Sequence, residues 1–367
     1  MGILQPIWDG TFVYREPVCF SADKDGRPTG GTLLYQPEEI LSVTSFDGSV
    51  FYQPVRDYTA NGRQLVRTEA SRIPYLERSV YCKPFTGVPE TAWVRLSGGK
   101  AYMEVVSDVY RWQTLVTYTH RDKWAGFQPK TCGESLPRSM EKLRAGGDFH
   151  LTLYGDSITA GWEASGCNER AIDMVTLGEY HVSLWHAPYQ PAWAELVTNA
   201  LQARYPQSNV IKTNRAAGGS TVQWGGEHAA ELVPPCKPDL IMLGFGMNSM
   251  QESTEDYRRA ILSIIRTIRK ECHDCEFVLM SPMIPNPEIK GFQNNQLPAQ
   301  QDVLYQIAAE LEGVCIVPVH SVFREMTARG KHYLELTGNC INHPNDFSVR
   351  VYAQTVLRTL GVDGNDG

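Results

Sequence analysis

The sequence predicts an α/β protein, a parallel sheet with helices on both sides, preceded by an all-β sandwich. Three observations carry this. From residue 147 onward, short and nearly continuous apolar runs alternate with helical patterns, the texture of strands buried on both faces. Before residue 140, short β-branched and aromatic runs are separated by Gly, Asn and Asp turns. The length of 367 residues suits two domains. The expected division is an accessory β-sandwich over 1–140 and a catalytic domain over 147–367.

In the first part, "FVYREPVCF", "GTLLYQ", "ILSVTSF", "SVFYQPV" and "QLVRTEA" read as strands. Asp47-Gly48 marks a hairpin, and Gly98-Gly99 marks a later turn within "TAWVRLSGGKAYMEVVSDVYRWQTLVTYTH". Many short strands must bury one face against another sheet, hence a sandwich. In the second part, "HLTLYGD", "NVIKTNRA", "DLIMLGFG", "EFVLMSPM" and "CIVPVH" are the five apolar runs. "QPAWAELVTNALQARY", "TEDYRRAILSIIRTIRKE" and "AQQDVLYQIAAELEG" are helical. In the second of these, Tyr257, Ile261, Ile264, Ile265 and Ile268 recur every three or four residues and form one apolar face.

A formal net charge of −7 without a Lys/Arg cluster excludes a nucleic-acid binder. No run approaches the ~18 apolar residues that span a bilayer, so no membrane partner is expected. "MGILQPIWDGTF" has no basic start followed by an apolar core. A cytoplasmic location is the expectation, with a secreted mature form as the alternative. Nine scattered cysteines read as reduced thiols. Cys272 and Cys275 form a C-x-x-C without a second pair at zinc-ribbon spacing, so no metal is expected there.

In open parallel sheets ligands bind outside the carboxyl ends of the strands. The first such end is "GDSITAG", with Ser157 between an acid and an apolar residue. The second, "TNRAAGGST", carries Gly219, and the third, "GFGMNSM", carries Asn248. After the fifth comes His343, ahead of a helical pattern. Taken singly, Ser157 reads as a helix cap, Gly219 as a turn glycine and Asn248 as a capping side chain. Together they supply a hydroxyl nucleophile, a base and oxyanion donors, the set that acyl transfer requires.

On these four blocks the sequence resembles the SGNH hydrolase superfamily of GDSL-type esterases over about residues 147–362. Ser157 falls in a complete Gly-Asp-Ser-x-Thr-x-Gly pattern, Gly219 in the second block, Asn248 in a Gly-x-Asn, and His343 in a His-Pro. The resemblance implies a flavodoxin-like three-layer sheet, with a jelly-roll-like sandwich before it. It also implies catalytic roles for Ser157, His343, Gly219 and Asn248, and no cofactor. Asp156, next to the nucleophile, is expected to hold the loop by accepting backbone N–H groups.

The pattern departs at one place. The family has Asp three residues before the histidine, where this chain has Cys340. A Ser–His dyad with a backbone carbonyl near 338–342 on the imidazole is the favoured expectation. Glu335, Asn339 and Asp346 are the alternatives, and Asp346 also reads as a helix-start acid.

Between Thr159 and Pro191 lies a long insertion, expected to form a lid or wall. Trp162, Trp185 and Tyr189 there, and Trp224 beyond, are the candidate substrate-binding residues; indoles at such positions read equally well as core, as does Trp193. His181 and His186 lack a third metal ligand.

Two-domain SGNH proteins with an N-terminal β-sandwich resemble carbohydrate esterases that remove acetyl groups, and the loops hold no long apolar tunnel for an acyl chain. The expectation is a carbohydrate O-acetylesterase acting on oligo- or polysaccharides. The alternatives are a short-chain acyl or aryl esterase or thioesterase, and a carbohydrate-binding protein with an inactive hydrolase domain.

Overall fold

The computed structural model describes residues 3–84, 94–95, 101–103 and 109–363. The expected Gly98-Gly99 turn lies outside the described residues.

Five parallel strands form the central sheet, in the spatial order Ser208–Asn214, Gly147–Gly155, Leu240–Gly244, Glu276–Met280, Val314–Val317. Numbered along the chain this is 2-1-3-4-5, the flavodoxin-like order. All five apolar runs became these strands. Period-two alternation sends their side chains to two cores. Leu151, Leu153, Met242, Val278 and Val317 face one, while Tyr154, Ile241, Leu243, Phe277 and Ile316 face the other.

Helices Trp193–Arg204 and Asp346–Leu360 cover the first face. Val222–Leu232, Thr254–Arg269 and Leu297–Glu310 cover the second. The apolar stripe of Thr254–Arg269 is buried at Tyr257, Ile261, Ile264, Ile265 and Ile268, as its periodicity requires. Ser253 caps that helix by accepting from Asp256 N–H at 3.1 Å.

The N-terminal region is built mainly of strands, with a short helical turn at Arg78–Tyr81. Its main sheet runs Pro28–Thr29, Phe12–Ala22, Gln113–His120, Pro37–Ser45, antiparallel throughout, with Tyr75–Leu76 added parallel to Phe12–Ala22. The Asp47-Gly48 turn is formed, with Gly48 N–H donating to Ser45 C=O at 3.0 Å and Tyr52 N–H to Val43 C=O at 2.8 Å. "GTLLYQ" is not a strand. Four of its N–H groups bond to side chains instead of a ladder: Gly31 to Glu335 and Leu34 to Glu16, both at 2.9 Å, Tyr35 to Tyr118 at 3.2 Å, and Gln36 to Asp122 at 2.8 Å. Leu33, Leu34 and Tyr35 are nevertheless buried, which is what made the run apolar.

This region shares a core with the sheet's first face through Val18, Phe20 and Leu33. Polar bonds reinforce the joint. The Lys331 ammonium lies 3.0 Å from Glu16 and 3.3 Å from Glu335, and donates to Pro17 C=O at 2.6 Å, all within buried surroundings. Gln113 donates to Leu334 C=O and Thr337 C=O at 2.7 and 2.9 Å. The N-terminal sheet is therefore bonded to the segment that leads into His343.

Candidate active site

The ends of three adjacent strands are stitched together backbone to backbone. Asp156 N–H donates to Gly244 C=O at 3.2 Å, and Ala217 N–H to Gly155 C=O at 2.9 Å. Gly155 is needed here, because a Cβ on it would stand 2.3 Å from Gly244 C=O and from the Thr159 hydroxyl. Thr159 in turn donates to Gly244 C=O at 2.9 Å. Thus three members of the GDSITAG block, Gly155, Asp156 and Thr159, form one tight strand exit.

Ser157 follows that exit, buried, with its hydroxyl 2.8 Å from His343 Nε2. The segment after it is a series of turns rather than a helix that Ser157 would cap. Gly161 at φ +91° and Glu163 at φ +71° end any helical continuation. The carboxyl of Asp156 accepts from Ile158 N–H at 3.0 Å, with Thr159 and Met247 N–H groups also bonded to it. Burial nevertheless raises its pKa to about 6.

A carboxyl raised from its ordinary 3.8 to about 6 contributes stability when protonated, in full below pH ~4, and that contribution is lost as pH rises through 6. Asp156→Asn is expected to flatten the stability curve between pH 4 and 6, read by urea unfolding across that window. An unchanged slope would reject this assignment.

Gly219 stands at φ +81°, which favours glycine, and a Cβ there would meet nothing within 4 Å. Gly219 is itself exposed. Asn248 is exposed; its amide donates to Ser220 C=O at 3.0 Å, which leaves its second N–H free in stoichiometry. The two loops are locked to each other by Val222 N–H donating to the Ser249 hydroxyl at 2.9 Å.

His343 is held by a loop that Asn339 builds. The Asn339 side-chain oxygen accepts from Ile341, Asn342 and His343 N–H at 2.9, 3.0 and 3.1 Å. Gly338 N–H donates to His343 C=O at 2.9 Å, and Asn345 caps the following helix at Ser348 N–H. Trp162 packs edge-on against the imidazole, ring centres 5.6 Å apart.

The expected holders of the imidazole are otherwise engaged. Glu335 accepts from Cys19, Gly31 and His332 N–H and faces Lys331. Asn339 is taken up as described. Asp346 accepts from Ser165 N–H and its hydroxyl at 2.9 and 2.7 Å. Among the described residues no carbonyl or other group accepts a hydrogen bond from His343 Nδ1, which removes the favoured backbone contact from the dyad expectation. Cys340, at φ +62°, packs with Cys19, Leu76, Tyr81 and Val109. A carboxylate in that apolar setting would be stripped of water without a partner.

The nearest acid is one that sequence reasoning missed. Glu163 Oε1 lies 3.8 Å from His343 Nδ1. Its sequence signal was a lone carboxylate among small and apolar residues, "GWEASGC", directly behind the serine block.

The insertion is more ordered than a plain loop. Asn168–Ile172 and Glu179–Ser183 pair as an antiparallel ribbon, and Ile172 N–H docks it on Ala216 C=O at 2.9 Å. Trp185 and Tyr189 stand 64% and 50% exposed, ring centres 5.2 Å apart, an open aromatic surface. Trp224 is half-buried and donates to Met174 C=O, bracing the ribbon's turn. Trp193 is core and donates to Ile158 C=O at 2.9 Å. His181 and His186 do not converge: the first contacts Asn168, while the second packs against Tyr110 and Phe46. Among the described residues no group of three His, Cys, Asp or Glu is placed to hold a metal, and no helix is long and apolar enough to cross a membrane.

No curated protein sequence matches the chain. Several solved structures do. A two-domain esterase active on acetylated mannans, crystallised with mannopentaose, is 20% identical with a TM-score of 0.47, over 63% of this chain and 54% of that one. The chain thus spans about half the length of that esterase. An acetylxylan esterase from Geobacillus stearothermophilus is 21% identical with a TM-score of 0.45, over 59% of this chain and 96% of that one. An α/β hydrolase from the metagenome of Lake Arreo, Spain, is 20% identical with a TM-score of 0.46, over 61% and 100%. The sequence profile of the GDSL-like lipase/acylhydrolase family matches residues 153–348, more than half of the chain. The chain belongs to the GDSL-like lipase/acylhydrolase family.

Proposed function

We propose that the protein is a carbohydrate O-acetylesterase with Ser157 as nucleophile and His343 as base. The observation that carries the chemistry is the 2.8 Å contact between the Ser157 hydroxyl and His343 Nε2, the reach a nucleophile–base pair needs. Ser157 Oγ attacks the acetyl carbonyl carbon while its proton passes to Nε2. The oxyanion that forms takes hydrogen bonds from Ser157 N–H, Gly219 N–H and the Asn248 amide, each such donor supporting ~3 kcal/mol of barrier reduction. The bond from the acyl carbon to the sugar oxygen then breaks, and that oxygen takes the proton from Nε2. Water attacks the acetyl-enzyme, gives its proton to Nε2, and acetate leaves as Ser157 recovers its hydrogen.

The open Trp185–Tyr189 surface supports a sugar on the alcohol side, since pyranose rings stack on exposed aromatic faces. Tyr189 also borders a cleft of about 210 Å³ with Phe46, Gln113, Asn345 and Arg350, between the insertion and the N-terminal sheet. Acetate release from acetylated manno- and xylo-oligosaccharides, followed by mass spectrometry, tests the reading against p-nitrophenyl butyrate and acetyl-CoA. Turnover of the sugar esters with kcat/KM well above the other two is expected. Preference for acetyl-CoA, or for the longer acyl chain, would replace it with a thioesterase or general esterase.

A further inference from the structure

We infer that Glu163 is the carboxylate that positions His343, in place of the acid absent at Cys340. This rests on the Ser–His reading above and deepens it.

Three buried polar atoms meet around the back of the imidazole. His343 Nδ1, Glu163 Oε2 and the Tyr110 hydroxyl each lack a hydrogen-bond partner among the described residues. Buried polar groups are rarely left so, and three in one place mark a site that closes on itself. Glu163 Oε1 stands 3.8 Å from Nδ1, beyond a hydrogen bond but within the looseness of resting catalytic contacts. Tyr110 is adjacent: a Cβ on Gly338 would lie 2.5 Å from the Tyr110 hydroxyl and 2.9 Å from Glu163 Cβ. Glu163 also holds φ +71°, a conformation that non-glycine residues keep chiefly where the surroundings impose it.

The division of labour follows. When Nε2 takes the proton of Ser157, the imidazole becomes cationic, and its Nδ1–H turns to Glu163 Oε1. The carboxylate holds the tautomer that leaves Nε2 free to accept. As the site closes, the Tyr110 hydroxyl, from the N-terminal region, is the neighbouring donor for the second carboxylate oxygen. The chain thereby supplies from behind the serine block what the family takes from the histidine block. Cys340 is then free to serve the apolar cluster that joins the two regions.

The test uses the full-length enzyme and p-nitrophenyl acetate. Glu163→Gln, which keeps the shape, is expected to lower kcat roughly 10²- to 10⁴-fold, with KM and melting temperature nearly unchanged. Glu163→Ala should regain rate on adding formate, with saturation, which a merely structural role would not produce. A Glu163→Gln enzyme within threefold of wild type, or a slow Glu163→Ala enzyme indifferent to formate, overturns the inference. If neither variant folds, the wild-type protein decides through its imidazole Nδ1–H resonance at low pH. A low-field position shows a facing carboxylate, and an ordinary position overturns the inference. Wild type without esterase activity or fluorophosphonate labelling would instead sink the Ser–His reading itself, so the two failures are told apart.

Discussion

Ser157→Ala is expected to lower kcat for p-nitrophenyl acetate at least about 10⁴-fold, the scale seen when a serine nucleophile is removed. No other hydroxyl can substitute, because Thr159 is committed to Gly244 C=O and Ser220 to Gly155 C=O. The fold should persist. Deleting one oxygen from a residue at a strand exit leaves Gly155, Asp156 and Thr159 in their bonds, so the melting temperature should hold within a few degrees. Residual activity within tenfold of wild type would show that the nucleophile lies elsewhere.

His343→Ala carries the second large effect, at least about 10³-fold in kcat. Without it, no other group among the described residues is placed within hydrogen-bond reach to take the Ser157 proton. Asp156 is the nearest acid in sequence, yet its carboxyl is occupied by the Ile158, Thr159 and Met247 N–H groups. Steady-state kinetics of the purified variant measures this, with circular dichroism to confirm the fold. Loss of less than tenfold would mean that the serine is activated by another group.

The strands and the four blocks were legible because each is local. Short apolar runs bounded by turn residues and alternating with long helical patterns read as buried parallel strands, and Gly155 and Gly219 are required by close approach and by φ. The orienting acid was not legible from spacing. Glu163 and His343 lie 180 positions apart, and only the packing of Trp162 and Gly338 brings them together. Glu335 and Asp346 drew notice because they flank His343 in sequence, but both are consumed by backbone donors of other elements. The indoles divide for a similar reason. Trp193 opens the helix Trp193–Arg204 and turns to the core, whereas Trp185 sits in the insertion, outside any helical pattern. "GTLLYQ" failed as a strand because its hydrogen bonds go to Glu16 and Tyr118, partners that no local reading reveals.

The central claim, that Ser157 is the acyl-accepting nucleophile of this chain, is tested most directly by trapping it. The protein is treated with a fluorophosphonate, digested, and the modified peptide sequenced by tandem mass spectrometry. A single adduct is expected on Ser157, forming in step with the loss of esterase activity and absent from Ser157→Ala. An adduct on any other residue, or full inactivation with Ser157 unmodified, would contradict it.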